Sequence, residues 1–151
     1  MDIGKLISAA FCAAILAGCS PVAQDYSGKW AEKSAERIVA VFTPAASGGY
    51  SVQIGWREDG LAQYEVWEMN AVAGKRKALV YSDGRLSRFS FEREGDTEYV
   101  EETVYADGTG TFRIDRNGEL VWTDSKDGSE TVFIRTDLNA PRLFRPNNPP
   151  D

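Results

Sequence analysis

The sequence predicts an all-β domain, an antiparallel meander of about nine strands forming a small barrel or a sandwich of two packed sheets. Two observations carry this. Turn dipeptides recur at Asp59-Gly60, Asp83-Gly84, Glu94-Gly95, Asp107-Gly108, Asn117-Gly118 and Asp127-Gly128, with Gly74 between the first two, and Asp-Gly and Asn-Gly supply the positive φ angles of tight hairpin turns. The segments between them alternate apolar and polar residues with period two, which puts each apolar set on one face of a sheet. A meander of this length closes or doubles over because open strand edges invite association.

The elements follow in order. Tyr26 to Trp30 leads into the first strand, and Ala31 to Glu36 is the one stretch that reads as a turn of helix. Arg37 to Thr43 encloses the continuous apolar run Ile38-Val39-Ala40-Val41-Phe42, the pattern of a strand buried on both faces. Tyr50, Val52, Ile54 and Trp56 alternate with Ser51, Gln53 and Gly55. Gln63 to Val72 sets Tyr64 and Val66 on one face and Trp67 and Met69 on the other. Leu79-Val80-Tyr81 and the pair Phe89 and Phe91 follow. Thr97 to Ala106 places Tyr99, Thr103 and Tyr105 on one face, with Glu102 on the other. The pairs Phe112 and Ile114, Leu120 and Trp122, and Val132 and Ile134 complete the meander. The glycine-rich Asp107-Gly108-Thr109-Gly110 reads as a hairpin, since a phosphate cradle needs a following helix N-terminus and Thr111 to Asp115 is strand-like. After Thr136 the prolines Pro141, Pro146, Pro149 and Pro150 rule out a ladder strand and define an extended tail.

The amino-terminal segment has the layout of an export signal: a lysine at Lys5, then an apolar run from Leu6 to Leu16, about 11 residues against the roughly 20 a spanning helix needs. It ends in Leu16-Ala17-Gly18-Cys19, which resembles the lipobox of bacterial lipoproteins. The resemblance implies cleavage between Gly18 and Cys19, acyl chains on the Cys19 thiol and on the new amino terminus, and hence a membrane anchor of more than one chain. Ser20 in place of Asp after the cysteine implies the outer membrane, facing the periplasm. The expected organisation is a signal peptide over 1–18, a lipidated tether over 19–25 that reaches only ~20 Å when extended, the β domain over 26–136, and the proline-rich tail over 137–151.

Composition excludes several chemistries. Cys12 leaves with the signal and Cys19 is consumed by lipid, so no disulfide is expected. The chain has no histidine, which excludes a Ser-His-Asp or Cys-His engine and leaves zinc, copper and haem without their usual ligands. Glu101 and Glu102 are adjacent and face opposite sides of a strand; Asp115, Asp124 and Asp127 fall at turns, where Asp serves the backbone. The spacing of Asp124, Asp127 and Glu130 does not match a calcium loop. No enzyme, metal or cofactor is expected. The net charge is −6, and removal of 1–18 takes away one lysine and one aspartate and leaves it unchanged. That charge argues against nucleic acid and against strong attraction to anionic lipid.

Gly28-Lys29-Trp30 at the start of the first strand and Arg135 at the end of the last resemble the lipocalin and calycin pattern, in which the Trp closes the barrel base and a late Arg packs across it. The segment from Trp30 to Arg37 is shorter than the loop that follows the first lipocalin strand, and the family's inter-strand disulfide is missing. Arg37, Tyr50 to Trp56, Trp67 and Leu79 to Tyr81 are also similar to small uncharacterised bacterial β domains, a likeness that carries no function. The leading expectation is a non-enzymatic binding module on the envelope, with another envelope protein or an apolar small molecule in the barrel mouth as partner. The alternatives are a lipocalin-like carrier of a small apolar ligand and an inhibitor of a basic envelope enzyme such as lysozyme. Candidate contact residues are Trp67 and Met69, together with Leu143 and Phe144 in the tail, which lie between Arg142 and Arg145.

Overall fold

Eight antiparallel strands, each hydrogen-bonded to the next, close into a barrel when the last pairs with the first. They are β1 (Gly28–Glu32), β2 (Ile38–Pro44), β3 (Tyr50–Trp56), β4 (Gln63–Ala73), β5 (Leu79–Phe91), β6 (Tyr99–Ile114), β7 (Leu120–Asp124) and β8 (Glu130–Arg135), with one 3₁₀ turn at Lys75–Lys77. The computed structural model describes residues 23–56, 62–93, 96 and 98–138. The expectations for Gly18, Cys19, Leu143 and Phe144 lie outside the described residues. A closed barrel removes the sheet edges that the meander would otherwise expose.

The strand count is eight instead of about nine because two of the expected turns lie inside strands. Asp83-Gly84 is within β5 and Asp107-Gly108-Thr109-Gly110 is within β6, and the β5–β6 register shifts around Gly84. Gly110 shows why glycine stands there without turning the chain. A Cβ on Gly110 would collide with the Tyr81 hydroxyl and the Thr123 carbonyl, so space requires the glycine, not a positive φ. By contrast Gly118 and Gly128 have φ near +79° and +72° and do form the β6–β7 and β7–β8 turns. Residues 33–36 form a turn, not helix, closed by the Glu36 N–H on the Glu32 carbonyl at 2.9 Å.

The interior is filled by Tyr26, Trp30, Phe42, Ile54, Phe112, Leu120 and Phe133, all essentially buried. Phe42 meets Phe112 edge-on at 5.0 Å between centroids. β2 is buried on both faces at Val39 and Ala40, as its apolar run predicts. Trp67 and Met69 face inward and Tyr64 and Val66 outward, the alternation expected of β4. The face expected for Thr97 to Ala106 needs correction. Leu86 pairs with Tyr105 but the adjacent Ser87 pairs with Thr103, so a bulge at Val104 puts Tyr105 and Thr103 on opposite faces. In β8 the buried residue is Phe133, between Val132 and Ile134.

Outside the main core, Tyr64, Val66 and Phe89 form a second cluster, flanked by Trp56, Phe91 and Tyr99. It stiffens the long strands β4, β5 and β6, which run 11, 13 and 16 residues against 5 to 7 in the others.

Candidate functional site

The meander gives the barrel two distinct ends. The base holds the start of β1, the end of β8 and the turns β2–β3, β4–β5 and β6–β7; the rim holds the turns β1–β2, β3–β4, β5–β6 and β7–β8. On the short β7–β8–β1 side, Lys33 of the β1–β2 turn reaches Glu119 beside the β6–β7 turn at 2.6 Å.

The base is closed. Tyr26 is 1% exposed; its backbone N–H donates to the Tyr50 hydroxyl at 3.2 Å, and its own hydroxyl donates to the Lys77 carbonyl at 2.7 Å with Phe112 O at 3.4 Å as a second acceptor. Burial pushes the Tyr26 hydroxyl above its ordinary range. The Trp30 indole donates to the Tyr26 carbonyl at 2.9 Å. Arg135 pairs with Trp30 in the β1–β8 seam, and its guanidinium lies 4.2 Å from the centre of the indole. It also donates to the carbonyls of Ser27 and Asp25, at 2.5 and 2.7 Å. This is the Trp–Arg closure that the Gly-x-Trp pattern implied. Ser27 donates side chain and backbone to Asp25, which holds that carboxyl below its usual range.

The rim carries the polar chemistry. On the inner face the Trp67 indole N–H donates to the Tyr105 hydroxyl at 3.1 Å, and that hydroxyl donates to Asp124 Oδ2 at 3.0 Å. Trp67 and Trp122 meet edge-on at 5.6 Å, and the Trp122 indole donates to the Tyr81 hydroxyl at 3.0 Å. Asp124 is buried; its other oxygen accepts the Lys126 N–H at 2.9 Å and so shapes the β7–β8 turn. The Lys126 ammonium stands 5.1 Å over the Tyr105 ring and pairs with Asp107 at 2.7 Å. That donation and charge hold the Asp107 carboxyl below its usual range.

Burial, and then the Asp124 carboxylate it donates to, push the Tyr105 hydroxyl up to about 12. Burial, with the Asp124 charge adding to it, also raises Tyr81, against the Trp122 donation. Both tyrosines therefore stay protonated at neutral pH; Tyr105 donates its hydroxyl proton to Asp124, and the Tyr81 oxygen accepts from Trp122. Farther out, Arg88 bridges Glu65 at 2.8 Å and Glu102 at 3.7 Å, which raises the guanidinium pKa through the Glu65 bond first. Arg85 joins Glu101 at 3.1 Å.

Of the two described candidate contact residues, Trp67 is half-buried at the rim and belongs to the network above. Met69 is 4% exposed and packs in the barrel interior beside Val52, so it is core and not contact surface; period two, which pairs it with Trp67, is indifferent to depth along the barrel. Asp115 and Asp127 serve turns: Asp115 accepts from Asn117 and Glu119, and Asp127 from Ser129. The Ser129 bonds keep the Asp127 carboxyl below its usual range. Tyr81, Tyr105, Asp124 and Lys126 escape the sequence reading as a group. Their one visible signal is Gly84, Gly108 and Gly110, which clear room for the two tyrosine rings.

No family model, curated protein or solved structure gives a match to this chain.

Proposed function

We propose that this chain is a lipid-anchored binding module of the bacterial envelope that presents the rim of its barrel to an envelope protein. The observation that carries the reading is the polarity of the barrel. The lipobox-like Leu16-Ala17-Gly18-Cys19 precedes the barrel by a short tether, and Asp25 and Thr136 both leave at the base. An anchor at Cys19 therefore keeps the base at the membrane and turns the rim, with Trp67, Tyr105 and Asp124, toward the periplasm.

The aromatic filling of the interior favours binding at the surface over carriage of an apolar ligand inside. A basic partner is favoured by the β5–β6 hairpin. Residues 92–102 carry six carboxylates and one arginine, and complementary charge speeds encounter and selects partners.

The test has two arms. Cys19→Ser moves the protein out of the acylated membrane fraction; unchanged acylation in that variant removes the anchor. Photo-crosslinkers placed at Glu101 and Lys126 on the rim capture one discrete envelope protein, and a crosslinker at Thr43 near the base does not. Equal capture from both ends, or from neither, ends the rim reading.

A further inference from the structure

We infer that the β4–β5 turn at the base, Lys75-Arg76-Lys77 with Val72 and Val80 beside it, is a docking surface for an anionic bilayer. The inference rests on the anchored orientation proposed above and names what the anchored end touches. The net charge of −6 hides a segregation. The rim hairpin is acidic, whereas the β4–β5 turn is three consecutive cations, all exposed and none in an ion pair with a described residue.

The turn is rigid. The Gly74 N–H donates to the Ala78 carbonyl at 2.8 Å and the Ala78 N–H to the Lys75 carbonyl at 3.1 Å. Arg76 and Lys77 are both held left-handed, at φ 55° and 63°, where non-glycine residues rarely stand. A β carbon on Gly74 would press on Val80 at 2.8 Å, so the turn and the valine are fitted to each other. The cations are also tied to the tether. The Lys77 carbonyl accepts from Tyr26, the residue that follows Asp25, so the turn lies one tyrosine side chain from the start of the barrel. Beside them Val72 and Val80 pair across β4 and β5 and are 52% and 36% exposed.

Cations over an exposed apolar pair match the layering of a bilayer surface, where phosphate oxygens lie above acyl carbon. The acidic rim is repelled by the same surface. Tether and charge thus orient the barrel the same way, base down. Each lysine or arginine near an anionic surface is worth about fivefold in binding, so three give about 10²-fold.

The experiment uses the full chain, produced in a bacterium and purified with the lipid it carries. It is added to vesicles of phosphatidylcholine alone and of phosphatidylcholine with 30% phosphatidylglycerol, and followed by flotation and by amide hydrogen exchange. The inference expects slowed exchange over 72–80 on the anionic vesicles alone, lost at 0.5 M salt, where screening is short-ranged. It expects the same loss in Lys75→Gln/Arg76→Asn/Lys77→Asn, a variant that removes charge while Asn tolerates the left-handed backbone. Flotation with both vesicles and equal exchange over 72–80 on each overturns the inference and leaves the anchor standing. Flotation with anionic vesicles only, reversed by salt, supports the inference and removes the anchor. Failure to float with either overturns both. Slowed exchange over 72–80 that grows with protein concentration without vesicles assigns the turn to the acidic rim of a second copy and overturns the inference.

Discussion

At the base, Tyr26, Trp30 and Arg135 lock the first and last strands together over an aromatic core, whereas at the rim Trp67, Tyr105 and Asp124 meet through their polar atoms and leave the rings of Trp67 and Tyr105 half-buried. The base buries its indole almost completely and spends a guanidinium on two backbone carbonyls. The rim keeps its buried polar groups satisfied within a chain of side chains, and among the described residues no buried side-chain polar atom lacks a partner. A closed aromatic end is built for stability; a hydrogen-bonded end with long strands and segregated charge is where recognition can be added without loosening the core.

The sharpest way to break this contrast is to truncate the two indoles. Trp30→Ala should cost about 3–5 kcal/mol, as expected for a fully buried tryptophan. Trp67→Ala should cost about 2 kcal/mol, since part of its ring is already exposed to water. Urea denaturation of both variants decides it; equal losses would mean that the rim is as integral to the fold as the base. Next comes Gly110→Ala, which drives a methyl group into the Tyr81 hydroxyl and the Thr123 carbonyl. A loss of about 2 kcal/mol is expected, and an unchanged urea midpoint would show that β5 and β6 are not in close contact there.

A smaller loss is expected from Arg135→Ala, about 1.5 kcal/mol for two exposed hydrogen bonds and the contact with Trp30. Arg135→Lys should not restore it, because a point ammonium cannot reach both carbonyls and stack on the indole together. Full rescue by lysine would reduce the closure to charge alone.

The smallest effect belongs to Tyr105→Phe, about 1 kcal/mol, which leaves the Trp67 N–H and Asp124 Oδ2 each without that partner. Its signature is in pH. The Tyr105 pKa is raised in the folded protein, to about 12 from an ordinary 10. The stabilisation it contributes is therefore complete below pH 10 and is lost as pH rises through 12. Tyr105→Phe should flatten the part of the stability curve above pH 10 relative to the parent. Identical slopes in the two proteins would place the alkaline loss elsewhere.

Much of this architecture was legible before any coordinates. β2, with apolar residues at every position from Ile38 to Phe42, and β3, with Tyr50, Val52, Ile54 and Trp56 in alternation, are strands by local chemistry. Asn117-Gly118 and Asp127-Gly128 are turns for the same reason, since a positive φ is a property of the residue itself. The Gly-x-Trp pattern carried the closure with Arg135 across 104 intervening positions because the contact needs specific side chains at both strand ends.

The rim was not legible in the same way. Asp83-Gly84 and Asp107-Gly108 have the same composition as true turns, and what makes them bulges is the pair of tyrosines, Tyr81 and Tyr105, packed on them. Trp67 and Met69 share a face, yet one reaches the rim and the other the core. The net charge could not reveal that six acids cluster on the β5–β6 hairpin and three cations on the β4–β5 turn.

The sequence by itself therefore determined the strands, the locally encoded turns and the all-β class, because alternation and left-handed glycines act over a few neighbouring residues. The tertiary structure alone decided that the sheet closes at eight strands, which glycines bend a strand instead of ending it, and which end each charged group occupies. Those depend on contacts between residues far apart in the chain, where steric fit and strand tilt, not composition, choose the outcome.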